Sequence, residues 1–205
     1  MPHASSLTLA ERLGVGAFDA TVVRVTPLNS ALCEVVLSCD VSAAGIPGND
    51  VMLHVPTDTG VARRRRYSVR SVNSDEGTIT LWVSTTHEGP GVTYVRSLEP
   101  GHVIDLVGPR GKISLDPMAD WHLFLGDLSA LGSFYRLAEA IEVPGRAIFI
   151  VETPSMADVV TTPFDEGLGV TGIFVEQGDH PAGSPETLMT GLAAFAFPPD
   201  HGHAY

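Results

Sequence analysis

The stretch Arg63-Arg64-Arg65-Arg66-Tyr67-Ser68-Val69-Arg70 decides how this chain is read. It places five arginines in eight residues of a chain whose formal net charge is −12. Like charges crowded this closely repel, which implies an anionic partner. The stretch ends β-branched and aromatic, with Gly60 and Asn73 on either side, so it reads as a strand. Side chains alternate along a strand, and Arg65 and Tyr67 therefore share one face. A guanidinium beside an aromatic plate suits a ligand with a phosphate at one end and a flat ring at the other. Ser68 adds a hydroxyl near that ring. The competing reading is a solvated edge strand whose charges discourage aggregation.

Bulk properties narrow the class. A chain of 205 residues forms one large domain or two small ones. Apolar content of 44% with 18% charged residues indicates a globular fold. No apolar run approaches the ~20 residues needed to span a bilayer. Met1 to Gly16 lacks a basic start followed by an apolar block, so no signal peptide is expected. Cys33 and Cys39 lie in one apparent strand, too extended for a disulfide, and read as buried thiols suited to a reducing cytoplasm. No Cys/His spacing suggests zinc or an iron–sulfur cluster, and His201 and His203 read as loop residues.

Charge is unevenly distributed. Residues 1–116 hold 10 of the 12 basic and 12 of the 24 acidic residues, a net −2, which leaves −10 in residues 117–205. Nucleic-acid binding needs a basic footprint, and neither half offers one beyond Arg63–Arg70.

The first half reads as six strands divided by turns: Phe18 to Val25, Ala31 to Cys39, Asp50 to Val55, Arg64 to Val72, Thr78 to Thr85 and Val103 to Val107. Ile79, Leu81 and Val83 alternate with Thr78, Thr80, Trp82 and Ser84, the pattern of a strand buried on one face. Asn73 to Gly77 is a hairpin loop. Short strands with Gly- and Pro-rich joints suggest a closed antiparallel barrel, with a short helix over Val92 to Leu98. The pattern then changes. Strands are expected at His122 to Leu125, Ala147 to Val151 and Thr171 to Glu176. Helices are expected at Ala130 to Ile141, Met156 to Val160 and Glu186 to Phe195, with Asp127 and Ser129 as potential caps. Ala147 to Val151 has no polar interruption, as in a parallel strand buried on both faces. This alternation is the βαβ signature of a doubly wound sheet. The domain boundary is expected at Asp116-Pro117.

Arg65-Arg66-Tyr67-Ser68-Val69-Arg70 resembles the Arg-x-Tyr-Ser/Thr-x-Arg flavin motif of the siderophore-interacting proteins, a branch of the ferredoxin-reductase superfamily. Gly89-Pro90-Gly91-Val92-Thr93 resembles the turn and short helix that meet the FAD pyrophosphate. Gly108-Pro109-Arg110-Gly111 resembles the turn closing the flavin domain. Gly126-Asp127-Leu128-Ser129-Ala130-Leu131 resembles the start of the nucleotide-binding domain. The resemblance implies an N-terminal extension over 1–16 and a six-stranded antiparallel Greek-key FAD-binding barrel over 17–116. An incomplete Rossmann-like parallel α/β domain for NAD(P)H would follow over 117–205. His203-Ala204-Tyr205 reads as the start of another buried strand. The family continues there into a Gly-Glu motif and a helix, so a truncated protein or fragment is expected, with a naturally short protein whose end differs as the alternative.

Residue roles follow from the same resemblance. Arg65 would pair with the FAD pyrophosphate, Tyr67 would stack on the flavin, and Ser68, beside Val69, would reach its reactive nitrogen edge. Arg63 and Arg64 would be solvated, and Arg70 could face either way. Gly91, Val92 and Thr93 would offer helix-start amides to phosphate. Thr86 or His87 would contact FAD, while Gly108-Pro109-Arg110-Gly111 reads first as a structural turn, with Arg110 facing the cofactor cleft as the alternative. Asp127 and Ser129 lie in the crevice that the family uses for nicotinamide dinucleotide, where helix capping is an equal alternative.

The implied activity is a cytoplasmic ferric-siderophore reductase, with NAD(P)H as electron donor, FAD as cofactor and the iron belonging to the substrate. The alternatives are a general NAD(P)H:flavin reductase and a non-catalytic FAD-binding flavoprotein.

Overall fold

The computed structural model describes residues 1–42, 44–57, 63–111, 113–160, 167–181 and 183–205. Gly60, read above as flanking the arginine strand, lies outside the described residues. Six of the described strands close an antiparallel barrel: β1 (Gly16–Pro27), β2 (Leu32–Ser38), β3 (Asp50–Val55), β4 (Arg63–Asn73), β5 (Thr78–Ser84) and β6 (Val103–Arg110). Their spatial order, β1-β2-β5-β4-β3-β6, is a Greek key, and pairing of β1 with β6 leaves no open edge. Inward residues such as Val35, Leu53, Val69, Leu81 and Leu106 form its core. The β4–β5 hairpin turns where expected: Asn73 Oδ1 accepts from the amides of Asp75 and Glu76, both at 3.1 Å. Gly77 supplies the positive φ of 63° that the turn requires.

Two barrel segments depart from the sequence reading. Gly108-Pro109-Arg110 is not a closing turn but the end of β6, continued past a register shift so that Arg110 pairs with Asp50. β5 is buried on both faces, because Trp82, expected to be outward and wet, is only 7% exposed beneath the second layer.

That second layer is a parallel sheet in the order β10-β7-β8-β9, built from β7 (Trp121–Asp127), β8 (Ala147–Thr153), β9 (Thr171–Glu176) and β10 (Gly202–Ala204). All seven residues of β8 are buried, as its apolar run predicts. Helix α3 (Leu131–Ala138) covers one face and packs against the barrel through β4 and β5. It stops three residues short of Ile141, which joins a tighter turn through its bond to the Ala138 carbonyl. Met156–Asp158 is a single 3₁₀ turn, and α4 (Pro185–Ala194) covers β8 and β9. The expected final strand forms as β10, but His203 and Ala204 are exposed rather than buried. His203 is no loop residue: its Nδ1 lies 3.2 Å from Asp116 Oδ2.

Residues 1–16, to which no element was assigned, contain helix α1 (Ala4–Leu13), docked on β1 and β6. Its buried Ser6 donates to Asp105 Oδ2 on β6. Helix α2 (Pro90–Arg96) spans the joint between β5 and β6.

Candidate functional site

β4 presents two chemically different faces. Arg65, Tyr67 and Val69 lie opposite or beside the inward residues Leu53 and Val51 of β3, on the side continuous with the barrel core. Arg64, Arg66, Ser68 and Arg70 lie on the other side. The cations of that outer side are partnered within the chain. Arg64 Nη2 donates to Ser6 Oγ at 2.7 Å and Ser5 Oγ at 3.0 Å, so Arg64 is held by α1 rather than solvated. Arg66 grips both carboxylate oxygens of Asp50. Arg70, left open by the sequence, pairs with Glu139 of the second layer at 2.7 Å. Thus much of the anionic compensation demanded by the arginine run is internal.

Arg65 is the exception with consequences. It is exposed, and its guanidinium donates to the neighbouring Arg64 carbonyl at 3.1 Å. Among the described residues no carboxylate pairs with it. Helix α2 begins directly against it. A Cβ added to Gly91 would lie 3.0 Å from Arg65 Cγ and 3.2 Å from the Tyr67 hydroxyl. Gly89 caps the helix with φ 149° and no side-chain bond, and Pro90 has no N–H. The amides of Gly91 and Val92 therefore have no acceptor within the helix. Arg65 and Tyr67 thus border Gly91 in the first turn of α2. Burial pushes the Tyr67 phenol above its ordinary range, against the pull of Arg65, so it is a neutral ring and donor near pH 7.

The other expected residues fall in four different places. Thr93 is exposed beside a cavity of about 440 Å³ that α2 shares with Pro56 and Thr57. Thr86 and His87 meet Asp127 in a crevice of about 200 Å³ between the barrel and the carboxyl ends of the parallel strands. Val69, by contrast, is 1% exposed with its side chain in the barrel core. Ser68 is half-buried on the outer side of β4.

Neither Asp127 nor Ser129 caps α3. Its N-cap is Ala130, without a side-chain bond. Asp127 instead folds the preceding turn by accepting the Ser129 amide at 2.8 Å and the Ser129 hydroxyl. The acceptor that would cap the helix is consumed one residue too early.

Sequence reasoning missed Ser84, Glu152 and Gln177, which line the same crevice. The register of β7 and β8 sets Glu152 beside Asp127, and a parallel-sheet reading could have found it. Among the described residues, no group of three or more His, Cys, Asp or Glu is placed to hold a metal ion. No described helix is long and apolar enough to cross a membrane.

The geometry defines a closed barrel on which an arginine lies beside a neutral phenol ring, followed by a parallel sheet with helices. Residues 28–115 match the family described as the oxidoreductase FAD-binding domain. An uncharacterized protein of Mycobacterium tuberculosis is 31% identical over 158 residues, 74% of this chain and 55% of that protein. The ferric vibriobactin reductase of Vibrio cholerae is 27% identical over 95 residues, 46% of this chain and 35% of its own length. A solved siderophore utilization protein from T. fusca shares the fold with a TM-score of 0.76 at 20% identity, covering 93% of this chain and 80% of that one. A ferredoxin NADP+ reductase from Neisseria gonorrhoeae, solved with FAD and NADP, gives 0.67 at 16% identity, covering 92% and 83%.

Over residues 28–115 the barrel thus resembles an FAD-binding domain of the oxidoreductase type. The resemblance of the chain to the siderophore-interacting proteins, within the ferredoxin-reductase superfamily, is borne out. The chain spans about half (55%) of the length of the M. tuberculosis relative.

Proposed function

We propose that this chain binds FAD on its barrel and works in an NAD(P)H-dependent ferric-siderophore reductase. The observation that carries the reading is the approach of Gly91 to Arg65 and Tyr67. It creates a cradle that any larger residue would fill, beside a cation without a carboxylate partner among the described residues. The dinucleotide FAD matches this donor set: its pyrophosphate meets Arg65 and the α2 amides, and its ring meets Tyr67. Val92 and Thr93 follow Gly91 along α2, Ser68 and Val69 only adjoin Tyr67 in sequence, and Thr86 and His87 stand where the flavin site would face the second sheet. FAD, when bound, supplies the conversion of a hydride from NAD(P)H into single electrons for Fe(III), so one donor reduces two ferric chelates and releases one proton.

The chain's own residues hold and orient. Asp127 and Ser129 stand at the strand ends where the donor would enter. The similarity to ferric vibriobactin reductase favours ferric chelates over quinones or free flavin as acceptors. The test is direct. The purified chain is expected to be yellow, or to become so with added FAD, and to bleach anaerobically with NADH or NADPH. Recovery of colour should then be faster with a ferric siderophore than with a quinone. A chain that stays colourless with excess FAD sinks the reading; one that binds FAD yet bleaches with neither donor is a non-catalytic flavoprotein.

A further inference from the structure

We propose that Glu152 makes the strand-end crevice a site for an unphosphorylated ribose, so that it takes NADH in preference to NADPH. The inference rests on the reading of that crevice as the donor's site. Glu152 ends the buried run of β8 and is 4% exposed. One carboxylate oxygen, Oε1, accepts from the Gly183 amide at 3.0 Å. The other, Oε2, is buried and meets no donor among the described residues. A buried acceptor without a donor is costly, and Glu152 lines a cavity that could admit one.

The chemistry of the lining selects the donor. The cavity walls carry the hydroxyls of Ser84 and Thr86, the amide of Gln177, the imidazole of His87, and the carboxylates of Asp127 and Glu152. Among the described residues, no lysine or arginine lines it. A ribose diol brings O–H groups that a carboxylate oxygen accepts. A ribose 2′-phosphate brings close to two negative charges at pH 7, set against two carboxylates in a poorly solvated crevice. The same atom that welcomes the hydroxyl repels the phosphate.

The test uses the FAD-loaded chain and calorimetric titration with ADP-ribose and with 2′-phospho-ADP-ribose, so its readout is binding rather than turnover. The unmodified chain is expected to favour ADP-ribose by at least ~10-fold. That preference should shrink in 1 M salt, because charge repulsion enforces it. Glu152→Gln keeps an amide oxygen for Gly183 but removes the charge, and is expected to bring the two affinities within about twofold. Equal affinities in the unmodified chain overturn the proposal. So does a Glu152→Gln variant that still discriminates. Should that variant fail to fold, the salt dependence of the unmodified chain decides alone, and a preference unchanged in 1 M salt overturns the proposal. Absence of binding by either nucleotide also overturns it; whether NADH or NADPH bleaches the bound flavin then judges the donor reading separately.

Discussion

The guanidinium of Arg70, the last arginine of the β4 run, donates to Glu139 of the second layer at 2.7 Å. Its carbon also lies 5.1 Å from the Trp82 ring and 5.4 Å from the Tyr135 ring. A residue within the arginine-rich strand β4 therefore fastens the barrel to the second layer. Arg70 is 4% exposed, so it cannot regain water if its partner is lost. Glu139→Ala is expected to cost about 3 kcal/mol, with a Tm lower by roughly 6–12 °C. Glu139→Gln, which keeps an acceptor, should cost less. Flavin content at low temperature should change little in either variant. An unchanged Tm for Glu139→Ala would show that the pair is dispensable.

The proposed FAD site predicts a different pattern. Arg65→Ala should lower bound FAD per chain, whereas Arg63→Ala should not, because Arg65 borders Gly91. Gly91→Ala places a methyl 3.0 Å from a flexible part of Arg65, which can move aside. The variant should hence keep its Tm while losing flavin. The ratio of visible to near-ultraviolet absorbance after desalting measures each case. Equal flavin in the Arg65 and Arg63 variants would remove Arg65 from the site.

Alternation and punctuation made most of this fold legible. The apolar run Ala147–Val151 could only be a strand buried on both faces, and β8 is one. The motif from Arg65 to Arg70 marked β4 as the candidate flavin strand, but could not say which arginines would face a ligand. That depends on partners distant in sequence: Ser6 for Arg64, Asp50 for Arg66 and Glu139 for Arg70. Trp82 misled for a related reason, since an outward position on one layer became an inward one when α3 packed over it. Glu152 went unnoticed because it reads as an ordinary acidic residue after an apolar run. Only the parallel register places it beside Asp127.

Gly191 offers a sharp packing test. Alanine normally stabilises a helix interior relative to glycine by about 1 kcal/mol. In α4, however, an added Cβ would lie 2.5 Å from Ile150 Cγ2 and 2.9 Å from Val175 Cγ2 of the underlying sheet. Overpacking of this kind costs about 1–3 kcal/mol. Gly191→Ala should therefore be net destabilising in urea melts, and a stabilised variant would mean that α4 sits farther from the sheet.

Acid should destabilise the chain in a window set by two histidines. Burial holds His122 below its ordinary value of 6.5, helped by His203 and Arg146 and opposed by Asp116. Burial and the Arg64 guanidinium do the same to His54, with His3 in support and Asp105 against. In both cases the unfolded chain binds a proton that the folded chain refuses. Stability is then full above about pH 6.5 and falls with acid until the depressed folded values are passed. Each histidine contributes a slope of at most about 1.4 kcal/mol per pH unit. Asp116, whose carboxylate is held below its ordinary 3.8 by the Met118 amide, would act only at lower pH. Urea melts between pH 5 and 8 should accordingly show stability rising with pH. His122→Gln should flatten that rise, while an equal slope in the variant would assign the effect to other groups.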